Sequence, residues 1–136
     1  MKLKSVLLID DNDADNYLHR LVIERSGVAD QVDVARDGQQ ALEYLTTPDA
    51  EGKTPSPDLI LLDINMPVMN GWEFLDAYES LDSELQSGVV IMMLTTSVNP
   101  DDVRRAQERS AVQSFLTKPL DATGLQTILS ENFPGY

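Results

Sequence analysis

Short apolar runs alternate with amphipathic stretches five times along this chain, and that alternation leaves few folds open. Parallel strands need a crossover of a dozen or more residues, and a helix is the usual crossover, so strand and helix taking turns predicts a parallel sheet with helices on both faces. The apolar runs place strands at about 4–10, 31–35, 58–62, 89–94 and 113–116. Three of the runs are continuously apolar, as strands covered on both faces must be. The second, Gln31 to Ala35, alternates polar with apolar and reads as an edge strand.

Helices fill the intervals. After Asp13 the residues Ala14, Leu18, Leu21, Val22 and Arg25 recur on one side at helical spacing, and Gly27 stands where a C-terminal cap belongs. A second helix begins at Asp37-Gly38 and carries Ala41, Leu42 and Leu45; a third starts near Gly71 and carries Phe74, Leu75 and Tyr78. The fourth has Asn99 as its cap, Pro100 at the first helical position, and Asp101 with Asp102 in the first turn, where the helix dipole favours negative charge. The fifth runs from Asp121 through Leu125, Ile128 and Leu129 to about Asn132. Thr46 to Pro57 holds three prolines and a glycine with no helical or strand period, and is expected to be a surface loop.

At 136 residues and 42% hydrophobic, the chain is expected to form one domain, residues 1–136, with a single core and no output domain. A net charge of -13 excludes nucleic acid and anionic membrane as direct partners, since both demand a basic face. The absence of cysteine rules out a disulfide, a thiolate metal site and a thiol nucleophile, and fits a cytoplasmic location. The apolar run after Lys2 and Lys4 is far too short for a secretory leader and ends in Asp10 and Asp11, so it reads as a strand.

The chemistry sits at the predicted strand ends. Asp10 and Asp11 close the first strand, Asp63 closes the third, and Lys118 follows the fifth. In an open parallel sheet the carboxyl ends of the strands face one crevice, so these residues meet. Clustered carboxylates repel one another unless a cation sits among them or one takes up a proton, and oxygen ligands of this kind suit Mg²⁺. The pattern points to a magnesium site beside an acceptor aspartate.

Asp10-Asp11, Asp63-Ile64-Asn65-Met66-Pro67 with Gly71, Leu94-Thr95-Thr96 and Lys118-Pro119 occur in that order, each after a strand. Taken together they resemble the receiver domain of bacterial two-component response regulators, over essentially the whole chain. The resemblance implies a flavodoxin-like doubly wound sheet of five strands in the order 2-1-3-4-5, flanked by five helices. It implies phosphorylation of Asp63; Mg²⁺ ligated by Asp10 through water, by Asp11 and Asp63 directly, and by the backbone carbonyl of Asn65; and Lys118 pairing with the phosphoryl oxygens, its bond to Pro119 cis. It further implies a hydroxyl switch at Thr95 coupled to the aromatic Phe115, where the commoner tyrosine is replaced, and modulation of phosphoryl lifetime by Ser97 and Thr96. The donor would be a sensor histidine kinase or a histidine phosphotransfer protein. The protein would act as a monomer or homodimer, and its output would be binding to another protein. The loop at 46–57 and Leu94 to Ser97 look most like the phytochrome-associated regulators.

Other residues invite plainer readings. His19 reads as a surface residue of the first helix, Trp72 as packing at the rim of the site, and Arg104, Arg105, Glu108 and Arg109 as a solvated face of the fourth helix. Two rival functions remain: a phosphatase turning over through an aspartyl phosphate, which would want a carboxylic acid where Asn65 stands, and a receiver-like interaction module that is never phosphorylated. A nucleotide-binding domain would want a glycine-rich turn where Asp11, Asn12 and Asp13 stand.

Overall fold

The computed structural model describes residues 2–86, 88–96 and 99–133. Along the chain lie β1 (Leu3–Ile9), α1 (Asp13–Ser26), β2 (Ala29–Ala35), α2 (Gly38–Thr46), β3 (Leu59–Asp63), α3 (Gly71–Glu79), α4 (Ser83–Gln86), β4 (Val90–Thr95), α5 (Pro100–Gln107), β5 (Val112–Thr117) and α6 (Ala122–Asn132). All strand pairs are parallel and the order is β2-β1-β3-β4-β5, so β2 is an edge as its alternating sequence predicts.

Two corrections concern the helices. The described residues hold six rather than five, because α4 is a single turn of 4 residues, too short for any periodicity to show in the sequence. The buried side of α1 is also not the expected one. Asn16, His19 and Ile23 face the core, while Leu18 is 48% exposed. The helix is capped by Asn12, whose side chain accepts from the backbone of Asp15. Asn16 and His19 share the inward stripe of α1 with Ile23, so apolar spacing alone does not mark that side.

The strands divide the core in two, because successive side chains point to opposite faces. Leu7, Ile9, Ile60, Leu62, Ile91 and Met93 face the layer that holds Phe74, Leu75, Tyr78 and Ala106 of α3 and α5. Val6, Leu8, Leu59, Leu61, Met92 and Leu94 face Ile23 of α1 and Leu125, Ile128 and Leu129 of α6. Each fully buried leucine or isoleucine contributes about 1.5–3 kcal/mol relative to exposure. That rigid double layer is what holds the strand ends still. Among the described residues no helix is long and apolar enough to cross a membrane.

Candidate phosphoacceptor site

Strand register assembles the site. Ile9 stands opposite Leu62, Asp63 opposite Leu94, and Thr95 opposite Thr117. The residues at or just beyond those positions therefore share one edge of the sheet. Asp10, Asp11 and Asp63 each offer an oxygen, and the three oxygens lie within 4.8 Å of one another. Asp10 and Asp63 are buried and Asp11 is the more exposed of the three. Oxygen donors of this number and charge, with room for water on the Asp11 side, fit a hard divalent cation that keeps part of its hydration shell.

The local backbone explains how such a cluster is held. Asp10 donates its amide to the Ala35 carbonyl at 3.0 Å, its carboxylate accepts from the Asn12 amide at 3.0 Å, and its own carbonyl accepts from the Asn16 side chain at 2.8 Å. On the far side, Gly71 donates to the Ile64 carbonyl at 2.8 Å, and a Cβ at position 71 would lie 2.7 Å from the Asp63 carbonyl oxygen and 3.0 Å from the Ile64 Cα. Only glycine lets α3 start this close to the end of β3. Asn65 is exposed on the intervening turn.

Lys118 reaches in from the opposite side. Its side chain is 8% exposed, and its Nζ lies 2.6 Å from Asp10, 3.0 Å from Asp15 and 3.4 Å from Asp63. This is no solvated strand-end lysine. Its position is prepared by the Lys118 amide, which donates to the Thr95 carbonyl at 2.7 Å; the bond from Lys118 to Pro119 is cis. Burial alone would lower the Lys118 ammonium, but its bonds to Asp10 and Asp15 and the charges of Asp10 and Asp63 overcome that and hold it above the usual lysine range. Asp63 goes the other way. Burial, and next the charge of Asp10, push its carboxyl up to about 6, against the pull of Lys118.

Two residues of α1 were not foreseen here. Asp15 was missing from the expected site, although the first turn of a helix that starts right after Asp10 and Asp11 returns to the same crevice. His19, expected at the surface, is 2% exposed, and its Nε2 accepts the Leu120 amide at 3.2 Å, tying α1 to the segment after Pro119. Burial, more than the charges near it, lowers its pKa, so it is a neutral acceptor.

The remaining expected residues fall as follows. Thr95 is buried at the end of β4, Thr96 is exposed, and Ser97 lies outside the described residues. Phe115 is half-buried against the α3–α5 core layer and lines a hollow of about 190 Å³ with Val103 and Ala106. Of the residues expected on a solvated face, Arg104, Arg105 and Glu108 are exposed, with the Arg105 Cζ 4.4 Å from the Trp72 ring centroid, whereas Arg109, beyond α5, is half-buried and pairs with Asp76 at 2.6 Å and Glu79 at 3.6 Å. Long cationic side chains cover apolar neighbours where a partner on another helix is within reach.

Comparison with known proteins agrees with this geometry. The family model for the response regulator receiver domain matches residues 6–130. Response regulator Rcp1 of Synechocystis is 35% identical over 115 residues, covering 85% of this chain and 76% of Rcp1. The solved Mn²⁺-bound form of Rcp1 superposes with a TM-score of 0.74 at 31% identity, covering 98% and 96% of the two chains. A two-component response regulator from Cytophaga hutchinsonii superposes at 0.86 with 30% identity, over 96% of this chain and 97% of the other. The phosphorylated cyanobacterial phytochrome response regulator RcpA gives 0.75 at 33% identity, over 94% and 89%. With strand order, acidic crevice, facing lysine and a family match over nearly its full length, this chain belongs to the response regulator receiver domain family.

Proposed function

We propose that Asp63 accepts a phosphoryl group from the phosphohistidine of a sensor histidine kinase or phosphotransfer protein, in a reaction that needs Mg²⁺, and that the phosphorylated chain signals by binding another protein. The observation that carries this reading is the buried Asp63 carboxylate set between two further carboxylates and the Lys118 ammonium. One Asp63 oxygen bonds to phosphorus while the phosphorus–nitrogen bond of the donor breaks, its electron pair remaining on the imidazole. Such a transfer is mostly positioning and charge neutralisation. Mg²⁺ held by the side chains of Asp10, Asp11 and Asp63 and the carbonyl of Asn65 would neutralise the crowded carboxylates and the incoming oxygens. The metal in the Rcp1 structure supports that assignment.

The protein side of the reaction is division of labour. Lys118 pairs with phosphoryl oxygens as a point charge. The Thr95 hydroxyl turns toward a phosphoryl oxygen, and Phe115, half-buried over its hollow, changes its packing in response. Thr96 and Ser97 tune how long the phosphoryl group survives. Residues 1–136 act as one cytoplasmic receiver unit without turnover of other substrates; only transfer to Asp63 and its own hydrolysis occur. The relatedness to Rcp1 and RcpA favours a phytochrome-linked kinase as donor.

Acetyl phosphate with Mg²⁺ should add one phosphoryl mass to the wild type and none to Asp63→Asn. Equal labelling of the two would remove Asp63 as the acceptor.

A further inference from the structure

An ammonium has three N–H donors, and two of those of Lys118 are spent on hydrogen bonds to Asp10 at 2.6 Å and Asp15 at 3.0 Å, while Asp63 stands 3.4 Å away as an ion pair. The acceptor carboxylate is the farthest of them. An arriving phosphoryl oxygen therefore finds two of the three Lys118 donors engaged away from the acceptor, and full approach of the ammonium loosens one of those pairs. We propose that Asp15 is a positioning residue that holds Lys118 back from the acceptor, and that the Lys118–Asp15 pair is the one surrendered on phosphorylation. The inference rests on Asp63 being the phosphoacceptor.

Relative burial selects Asp15. The Asp10 side chain is 5% exposed, accepts the Asn12 amide as well and belongs to the three-carboxylate cluster, so it cannot be left without its counter-charge. Asp63 is 10% exposed and is the group being modified. Asp15 is 28% exposed, which lets water replace the ammonium when the pair opens. It is also held in place without Lys118, because its amide donates to the Asn12 side chain at the start of α1. The pair thus acts as a brake: its cost is met once per phosphorylation, and its return favours loss of the phosphoryl group. Charge also enters. Asp15 is one more negative group facing an anionic donor, and its removal eases approach while leaving the three cluster carboxylates intact.

Asp15→Asn keeps the shape of the side chain and removes its charge, and Asp15→Ala removes the acceptor as well. Asp13→Asn is the control: it removes the same charge from the same helical turn, from a side chain paired with Arg36 rather than Lys118. With acetyl phosphate and saturating Mg²⁺, Asp15→Asn should be labelled roughly twofold to fivefold faster than wild type, as expected for loss of a part-exposed ion pair. Asp15→Ala should be at least as fast, and both should bind beryllofluoride, standing in for the phosphoryl group, tighter by a similar factor. Mg²⁺ affinity should be weaker, since a negative charge has been removed, and a merely structural loss would not move metal and anion in opposite senses. Equal acceleration by Asp13→Asn, or no acceleration by either Asp15 variant in a protein whose wild type is labelled, overturns the brake and leaves Asp63 as the acceptor. A wild type that neither takes the label nor binds beryllofluoride overturns both.

Discussion

Asp63 is ionised in surroundings that disfavour its charge: burial and Asp10 outweigh the attraction of Lys118 and raise its carboxyl to about 6 from an ordinary 3.8. Neutralising it should therefore stabilise the metal-free protein. Asp63→Asn is expected to gain about 1–3 kcal/mol at neutral pH in chelator, read by denaturant unfolding, and to lose most of the stabilisation that Mg²⁺ gives the wild type. A less stable mutant would mean that the Lys118 pair outweighs the repulsion. His19 behaves in the opposite sense. Its native pKa lies below 6.5, so the unfolded chain takes up a proton that the native protein refuses. Its contribution is complete above pH 6.5 and is lost as the pH falls through that value toward the lower native one. His19→Gln keeps an acceptor for the Leu120 amide without titrating, so its stability should fall less steeply than that of wild type between pH 7.5 and 5.5. Parallel curves would show that His19 titrates normally.

Among the elements, the start of α3 and the placement of α5 carry the site. Gly71→Ala would drive a Cβ to 2.7 Å from the Asp63 carbonyl oxygen, closer than real Cβ contacts allow, so backbone must shift. The expected cost is about 1–3 kcal/mol in thermal or denaturant unfolding, with weakened Mg²⁺ binding because β3 and the turn after it must shift. A neutral Gly71→Ala would show that the turn yields. Toward the output side, Arg105 over Trp72 and Arg109 on Asp76 and Glu79 fasten α5 and the turn after it to α3. Arg105→Ala should lower stability by about 0.5–1 kcal/mol and change the emission of Trp72, the only tryptophan, without altering phosphorylation of Asp63. Unchanged emission would mean that the guanidinium does not sit on the ring in solution.

Across the whole molecule, the proposed phosphorylation of Asp63 would add roughly -1.5 to -2 charge and three acceptor oxygens at one edge of the sheet. Thr95 and Lys118 stand at that edge, joined by a backbone hydrogen bond, and Phe115 of β5 lies beside Val103 and Ala106 of α5, so beryllofluoride should change amide shifts or exchange protection along α5 and β5 as well as around Asp63. Thr95→Ala should shrink the distant changes and spare the local ones, as a population shift requires. Changes confined to the loops around Asp10, Asp63 and Lys118 would move the output elsewhere on the surface.

Local order alone settled a good deal. Strand spacing, the edge character of β2, the Asn99-Pro100 start of α5 and the strand-end positions of Asp10, Asp11, Asp63, Thr95 and Lys118 follow from periodicity and capping, which act over a few residues. The single-turn α4 escaped because so short a helix has no period. Tertiary structure decided which polar groups find partners. His19 is buried because the Leu120 amide, 101 residues later in the chain, donates to it, and Asp15 joins the site because Lys118, 103 residues later, reaches back to it. Arg109 is drawn out of solvent because two carboxylates of α3 stand within reach, and the exposed Arg105 lies over an indole of the same helix. Hydrophobic spacing records how a segment is buried, but the worth of a buried polar side chain depends on the hydrogen bond or charge that meets it, and only the folded chain brings that partner close.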